Sequence, residues 1–201
     1  MSKLSYSRSS FDDALRQAGV RPGDTLFVHV DLAALGDAEG ATAAAARNAL
    51  VREALFDAVG PEGTILVPTY TFSFCRGEKF DPETTTTAGG PWSPTADFLE
   101  EFRQLPRAVR SRDPIHSVAG VGPRAKELLE SVPPTCFGEG SVFHRLLVAG
   151  AKICTIGLGL EEATFRHHVE ERVGVPYRFK KLFTGRLKTN GECEKQGSGS
   201  S

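Results

Sequence analysis

The segment Thr164-Phe165-Arg166-His167-His168-Val169-Glu170-Glu171 is the chain's densest set of groups able to move a proton. His167 and Glu170 stand three residues apart, so on a helix they share a face and the carboxylate can hydrogen-bond the imidazole. A carboxylate placed there fixes the ring's tautomer and favours the charged form after proton uptake, which a general base requires. His168 and Glu171 repeat the spacing on the adjacent face. The same pattern also describes a solvated helix with two ion pairs, its commoner meaning. Zinc on His167 and Glu171 at i, i+4 lacks an evident third ligand.

Other reactive side chains are more scattered. His116 follows Arg110-Ser111-Arg112-Asp113-Pro114 and reads either as a satisfied histidine beside a salt-bridged turn or as part of a site. His144 falls on an amphipathic helix and reads as structural. Cys75 lies in a loop with no histidine at readable distance, which makes it a poor nucleophile. The four cysteines (Cys75, Cys136, Cys154, Cys193) show no CxxC spacing and so suggest neither a disulfide framework nor a zinc site. There is no GxxxxGK[ST] phosphate loop, no GxSxG elbow and no HExxH motif. Gly157-Leu158-Gly159 fails as a dinucleotide fingerprint, because Glu162 stands where the third glycine would be.

Alternating strands and helices must position these groups. Thr25–Val30, Thr64–Tyr70, Ile115–Val121 and Lys152–Gly157 read as strands, the first nearly continuous in apolar residues and so buried on both faces. Helices are expected over Ser9–Ala18, Thr42–Val59, from a Ser93-Pro94 start to Leu105, Pro123–Ser131, Ser141–Ala149 and Thr164–Val173. That alternation predicts an α/β fold, with a largely parallel sheet flanked by helices. In an open sheet of this kind ligands bind beyond the carboxyl ends of the strands. Four segments fall there: His29-Val30-Asp31, Thr69-Tyr70-Thr71, His116-Ser117 and Thr164–Glu171.

Composition narrows the partners. The chain has 201 residues, with 24 Lys+Arg against 25 Asp+Glu for a net charge of −1, which gives no support to nucleic-acid or membrane-surface binding. The start, MSKLSYSRSSFDD, reaches Asp12 and Asp13 without an apolar run, so no signal peptide is expected and the setting reads as cytoplasmic and reducing. A homo-oligomer stays open. Residues 1–186 read as a single domain. Residues 187–201, with only Leu187 and Cys193 apolar and an end in GSGSS, read as a disordered tail.

Five stretches in order carry a resemblance. They are Gly23–His29 with Asp31–Gly36, Gly63–Thr71, Phe80-Asp81-Pro82-Glu83-Thr84, Arg110-Ser111 through His116-Ser117-Val118-Ala119, and Gly150–Ile153 ahead of Thr164-x-x-His167-x-x-Glu170. Together they resemble the aminoglycoside 3-N-acetyltransferase family, antibiotic acetyltransferases distinct from the GNAT fold, in a C-terminally shortened form.

The resemblance implies transfer of an acetyl group from acetyl-CoA, as co-substrate, to an amino group of an aminoglycoside, at the 3-N position. His167 would be the general base and Glu170 its orienting partner. The thioester is already activated, so direct transfer needs no acyl-enzyme. His29, Asp31, Thr69, Tyr70, Thr71, His116 and Ser117 would hold CoA's pantetheine and phosphates, with Arg110 and Arg112 as phosphate partners. Asp81, Glu83 and Glu171 would receive the cationic acceptor, with Glu161 and Glu162 nearby. His29-Val30-Asp31 and Val175-Pro176-Tyr177-Arg178-Phe179 look more like members associated with sugar or polysaccharide pathways. The alternatives are therefore a carbohydrate-pathway aminosugar N-acyltransferase, or a shortened chain that binds CoA without turnover.

Overall fold

The computed structural model describes residues 5–87, 96–133, 135–189 and 192–200. Its first half contains β1 (Ser5–Tyr6), α1 (Arg8–Gln17), β2 (Thr25–Val30), β3 (Asp37–Ala38), α2 (Ala44–Val59), β4 (Thr64–Pro68) and α3 (Ala96–Arg103). Then follow β5 (Val109–Arg110), β6 (Val118–Val121), α4 (Ala125–Leu129), α5 (Val142–Val148), β7 (Lys152–Ile156), α6 (Phe165–Val173), β8 (Lys181–Thr189) and β9 (Glu192–Ser200). The expected Ser93-Pro94 helix start lies outside the described residues.

Five strands form the central sheet in the order β5-β6-β4-β2-β7. The central β2 is parallel to both neighbours, with Leu26 opposite Ile65 of β4 and Lys152 of β7. The architecture is α/β, as the alternation implied, but the sheet is mixed: β6 runs antiparallel to β4 and to β5. Only the loop 111–117 joins β5 to β6, too short for a crossover helix, so that pair must run antiparallel. The expected strand at Ile115 begins only at Val118. The Asp113 carboxylate takes the Ile115 and His116 N–H groups (2.8 and 2.9 Å) and turns the backbone there.

Every residue of β2 is buried, and alternation divides the core. Leu26, Val28 and Val30 face a cluster with α1, α2 and α3 that includes Leu15, Leu55 and Phe102. Phe27 and Leu66 face the opposite cluster, where Phe80, Phe137, Phe143 and Leu146 pack. Ser141 caps α5 through the His144 N–H, as its sequence position implied. Thr164 sits at the start of α6 without making a side-chain cap. Among the described residues no helix is long and apolar enough to cross a membrane.

The C-terminal segment departs from the expected tail. β8 and β9 pair in register from Lys181–Ser200 to Thr189–Glu192. The ladder satisfies the backbone groups that a polar chain would otherwise leave to water. Leu187, 2% exposed, enters the second core cluster and bridges to Phe80. Strand alternation, invisible to a hydropathy average over the segment, turns this residue inward.

Candidate active site

The carboxyl ends of β2, β4 and β7 and the start of the antiparallel β6 lie at one end of the sheet. The turn there needs a glycine. Gly157 has φ +70°, and a Cβ on it would lie 2.1 Å from the Asp31 carbonyl oxygen. The half-buried Asp31 itself takes the Ala33 N–H on its carboxylate (3.0 Å).

On α6, His167 Nδ1 and Glu170 Oε2 are 3.1 Å apart. Arg178, in the segment after the helix, binds the same Glu170 oxygen and also meets His167 Nδ1. The Tyr177 hydroxyl donates to Glu170 Oε1 (3.4 Å). Partial burial, helped by the Arg178 charge, lowers the His167 pKa despite the opposing pull of Glu170. Glu170, bonded to His167 and Arg178, titrates below the usual carboxylate range. The imidazole is thus held neutral beside a carboxylate that stays ionised, and its side chain remains 27% exposed. Such a pair can accept a proton from a cationic substrate.

Phe137 links this pair to the sheet. Its ring lies 5.3 Å from His167, 4.8 Å from His116 and 5.0 Å from Phe143, and the Arg178 guanidinium sits 5.7 Å from its centroid. Tyr70 closes on His116 from the other side, with the rings 5.0 Å apart. Burial pushes His116 down to about 4 and His29, edge-on to Phe27, also to about 4. Burial raises the Tyr70 hydroxyl as well. Thr69, Thr71 and Ser117 are buried: the Thr69 N–H donates to the Ser117 carbonyl (2.8 Å), and the Thr71 hydroxyl donates to the Pro114 carbonyl (2.6 Å).

Arg110 stands apart from a free phosphate ligand. Its guanidinium donates to the Thr69, Thr85 and Pro82 carbonyls and to the Thr69 and Ser117 hydroxyls, while covering the Phe80 ring. Burial lowers it to about 9. It ties three loops together, and those donors are spent on protein oxygens. Arg110 and the half-buried Arg112 border a cleft of about 1110 Å³ that also contains Asp81 and Glu83. Lys188 of β8 pairs with Asp81 at 2.9 Å, so the hairpin supplies this cleft's counter-charge.

The three expected acceptor carboxylates are not gathered in one place. Glu171 lines a different cavity of about 420 Å³ with Phe137, His144 and His168, and it pairs with Lys180 at 3.0 Å. His168 does not repeat the His167 arrangement: it is 3% exposed and its Nδ1 meets the Phe137 carbonyl at 2.6 Å. Glu161 and Glu162 lie exposed on a short 3-10 turn. Phe137 carried no marker of a role in the sequence, and Arg178 entered only as part of a resemblance. The polar Tyr177-Arg178 step inside Val175–Phe179 was the available signal for the second.

A family model described as Aminoglycoside 3-N-acetyltransferase matches residues 27–196. Aminoglycoside N(3)-acetyltransferase III of Salmonella sp is 32% identical over 189 residues, covering 85% of this chain and 62% of that protein. The chain thus spans less than two thirds of that relative's length. The crystal structure of aminoglycoside acetyltransferase AAC(3)-Xa matches with a TM-score of 0.82 at 27% identity, over 97% of this chain and 71% of that one. AAC-VIa bound to sisomicin matches with a TM-score of 0.81 at 26% identity, over 98% of this chain and 76% of that one.

Proposed function

The chain belongs to the aminoglycoside 3-N-acetyltransferase family, whose fold is not of the GNAT type, and we propose that it acetylates an amino group of an aminoglycoside with acetyl-CoA as donor. The observation that carries this reading is the His167–Glu170–Arg178 group, partly buried on and after the helix that follows β7. An aminoglycoside amine is mostly protonated near neutral pH and attacks only as the free base. In the tautomer this requires, Nδ1–H donates to Glu170, Arg178 donates to Glu170 alone, and the bare Nε2 of His167 accepts the amine proton. The amine nitrogen then bonds to the thioester carbonyl carbon, the carbon–sulfur bond breaks, and the sulfur takes the proton shed by the acylated nitrogen, so that CoA leaves as its thiol and His167 returns its proton to solvent. Glu170 orients the ring and offsets the imidazolium charge.

In this reading the loop after His29, with Asp31, and the Thr69–Thr71 and His116–Ser117 segments shape the donor site. Their buried side chains and mutual hydrogen bonds set the backbone of the turns that line the donor in this reading. Arg110 braces these loops, and Arg112 is the phosphate partner. Asp81 and Glu83, with Glu171 from the other face of α6, contribute acidic charge toward the cationic acceptor. AAC-VIa, similar over nearly the whole chain, is bound to sisomicin, which supports an aminoglycoside acceptor.

Incubation of the chain with acetyl-CoA and an aminoglycoside panel should release free CoA and add one acetyl mass to the acceptor. No turnover with any amine would reject the activity. Turnover of a simple aminosugar, without protection of an aminoglycoside-sensitive host, would assign the chain instead to carbohydrate metabolism, the reading favoured by His29-Val30-Asp31.

A further inference from the structure

Behind Phe137 three loops meet. Asp113 and His116 come from the turn between β5 and β6, Cys136 from the connection between α4 and α5, and Tyr70 from the segment after β4. One ligand-capable atom from each of Asp113, His116 and Cys136 lies within 4.8 Å of the other two. These residues are 9%, 8% and 1% exposed, so water scarcely reaches the group. Asp113 Oδ1 is occupied by the Ile115 and His116 N–H groups, which fixes the carboxylate in place and leaves it a second oxygen.

One buried polar atom here, His116 Nδ1, has no hydrogen-bond partner among the described residues, while the Tyr70 hydroxyl is within reach of the Thr164 side chain. Leaving such an atom unsatisfied costs free energy, and buried polar groups of folded proteins nearly always find a partner. An orphan ring nitrogen beside a thiol and a carboxylate therefore indicates an occupant. A thiolate, an imidazole and a carboxylate make a borderline-soft donor set, which suits zinc and disfavours magnesium or calcium. Zinc bonds of about 2.0–2.3 Å set tetrahedral ligands roughly 3.3–3.7 Å apart, so donor atoms within 4.8 Å of one another would draw in by up to about 1.5 Å.

We propose that Asp113, His116 and Cys136 bind a zinc ion, with a water in its fourth position, and that the ion fastens the loops supporting Phe137. Binding replaces the Cys136 thiol proton with the metal and releases that proton to solvent. The ion is a staple. His167 contacts Phe137 and not the ligands, so the metal acts on the shape of the site and takes no part in acyl transfer. No spacing in the sequence marks this group, because its third member enters from another loop.

The test uses the full chain, stripped with a chelator and dialysed, then titrated with zinc chloride or cobalt chloride alone. One zinc ion per chain should bind with an upward shift in Tm, and the cobalt form should show a thiolate-to-metal charge-transfer absorption. Cys136→Ala should remove that absorption, and His116→Ala should abolish binding. Cys75→Ala, which changes an exposed cysteine elsewhere, should retain both. A wild-type chain that takes up neither metal overturns the proposal, with a buried water then meeting His116 Nδ1. Cobalt binding without the thiolate band, or with a band that survives Cys136→Ala, overturns it equally. If a variant fails to fold, the wild-type cobalt spectrum and stoichiometry decide.

Discussion

In the proposed reaction His167 acts as a base only while its ring is neutral, and its surroundings extend that condition to lower pH. Burial disfavours the imidazolium, Arg178 repels it, and Glu170 only partly compensates. The acid limb of kcat/KM should therefore lie below the ordinary imidazole value of about 6.5. A limb at or above that value would reject His167 as the titrating base. Arg178→Met removes a repelling charge and frees Glu170 to act on the ring alone, and both effects raise the His167 pKa. The limb should move to higher pH, as a pH–rate profile would show. His167→Asn should lower kcat by about 10²–10⁴, the usual worth of a general base, with the fold intact by circular dichroism. Unchanged kinetics in this variant would remove the assignment.

At the scale of elements, the β8–β9 hairpin and the turn after β7 carry structural weight. Leu187 anchors the hairpin in the second core cluster, and Lys188 beside it brings a cation to Asp81. Leu187→Ala should cost about 2–5 kcal/mol, read as a lower denaturant midpoint. A loss well under 1 kcal/mol would mean that the hairpin does not rest on the body in solution. Gly157→Ala places a methyl group against the Asp31 carbonyl at a positive φ, and it should cost at least about 1 kcal/mol. The sequence located most elements to within a few residues because apolar runs and caps such as Ser141 are local signals. It misplaced the start of β6 because a side chain, Asp113, captured the backbone that the apolar pattern assigned to the ladder. It read residues 187–201 as a tail because an antiparallel ladder draws its stability from pairing, which a single strand's composition does not display.

For the molecule as a whole, the described residues include the sheet end and loops assigned to the donor. Calorimetry should accordingly show CoA binding even with acceptors that are not turned over. Absence of binding would withdraw the donor roles of the Thr69–Thr71 and His116–Ser117 segments.

By itself the sequence determined the α/β class, the pairing of His167 with Glu170 and the family's ordered motifs. All of these follow from residue spacing along one element or between successive ones. Tertiary structure alone decided which charges meet. It spent the donors of Arg110 on protein carbonyls, set Glu171 apart from Asp81 and Glu83, brought Arg178 onto Glu170, and gathered Asp113, His116 and Cys136 into one nest. Contacts between groups distant in the chain depend on how the layers pack, and no local periodicity records that packing.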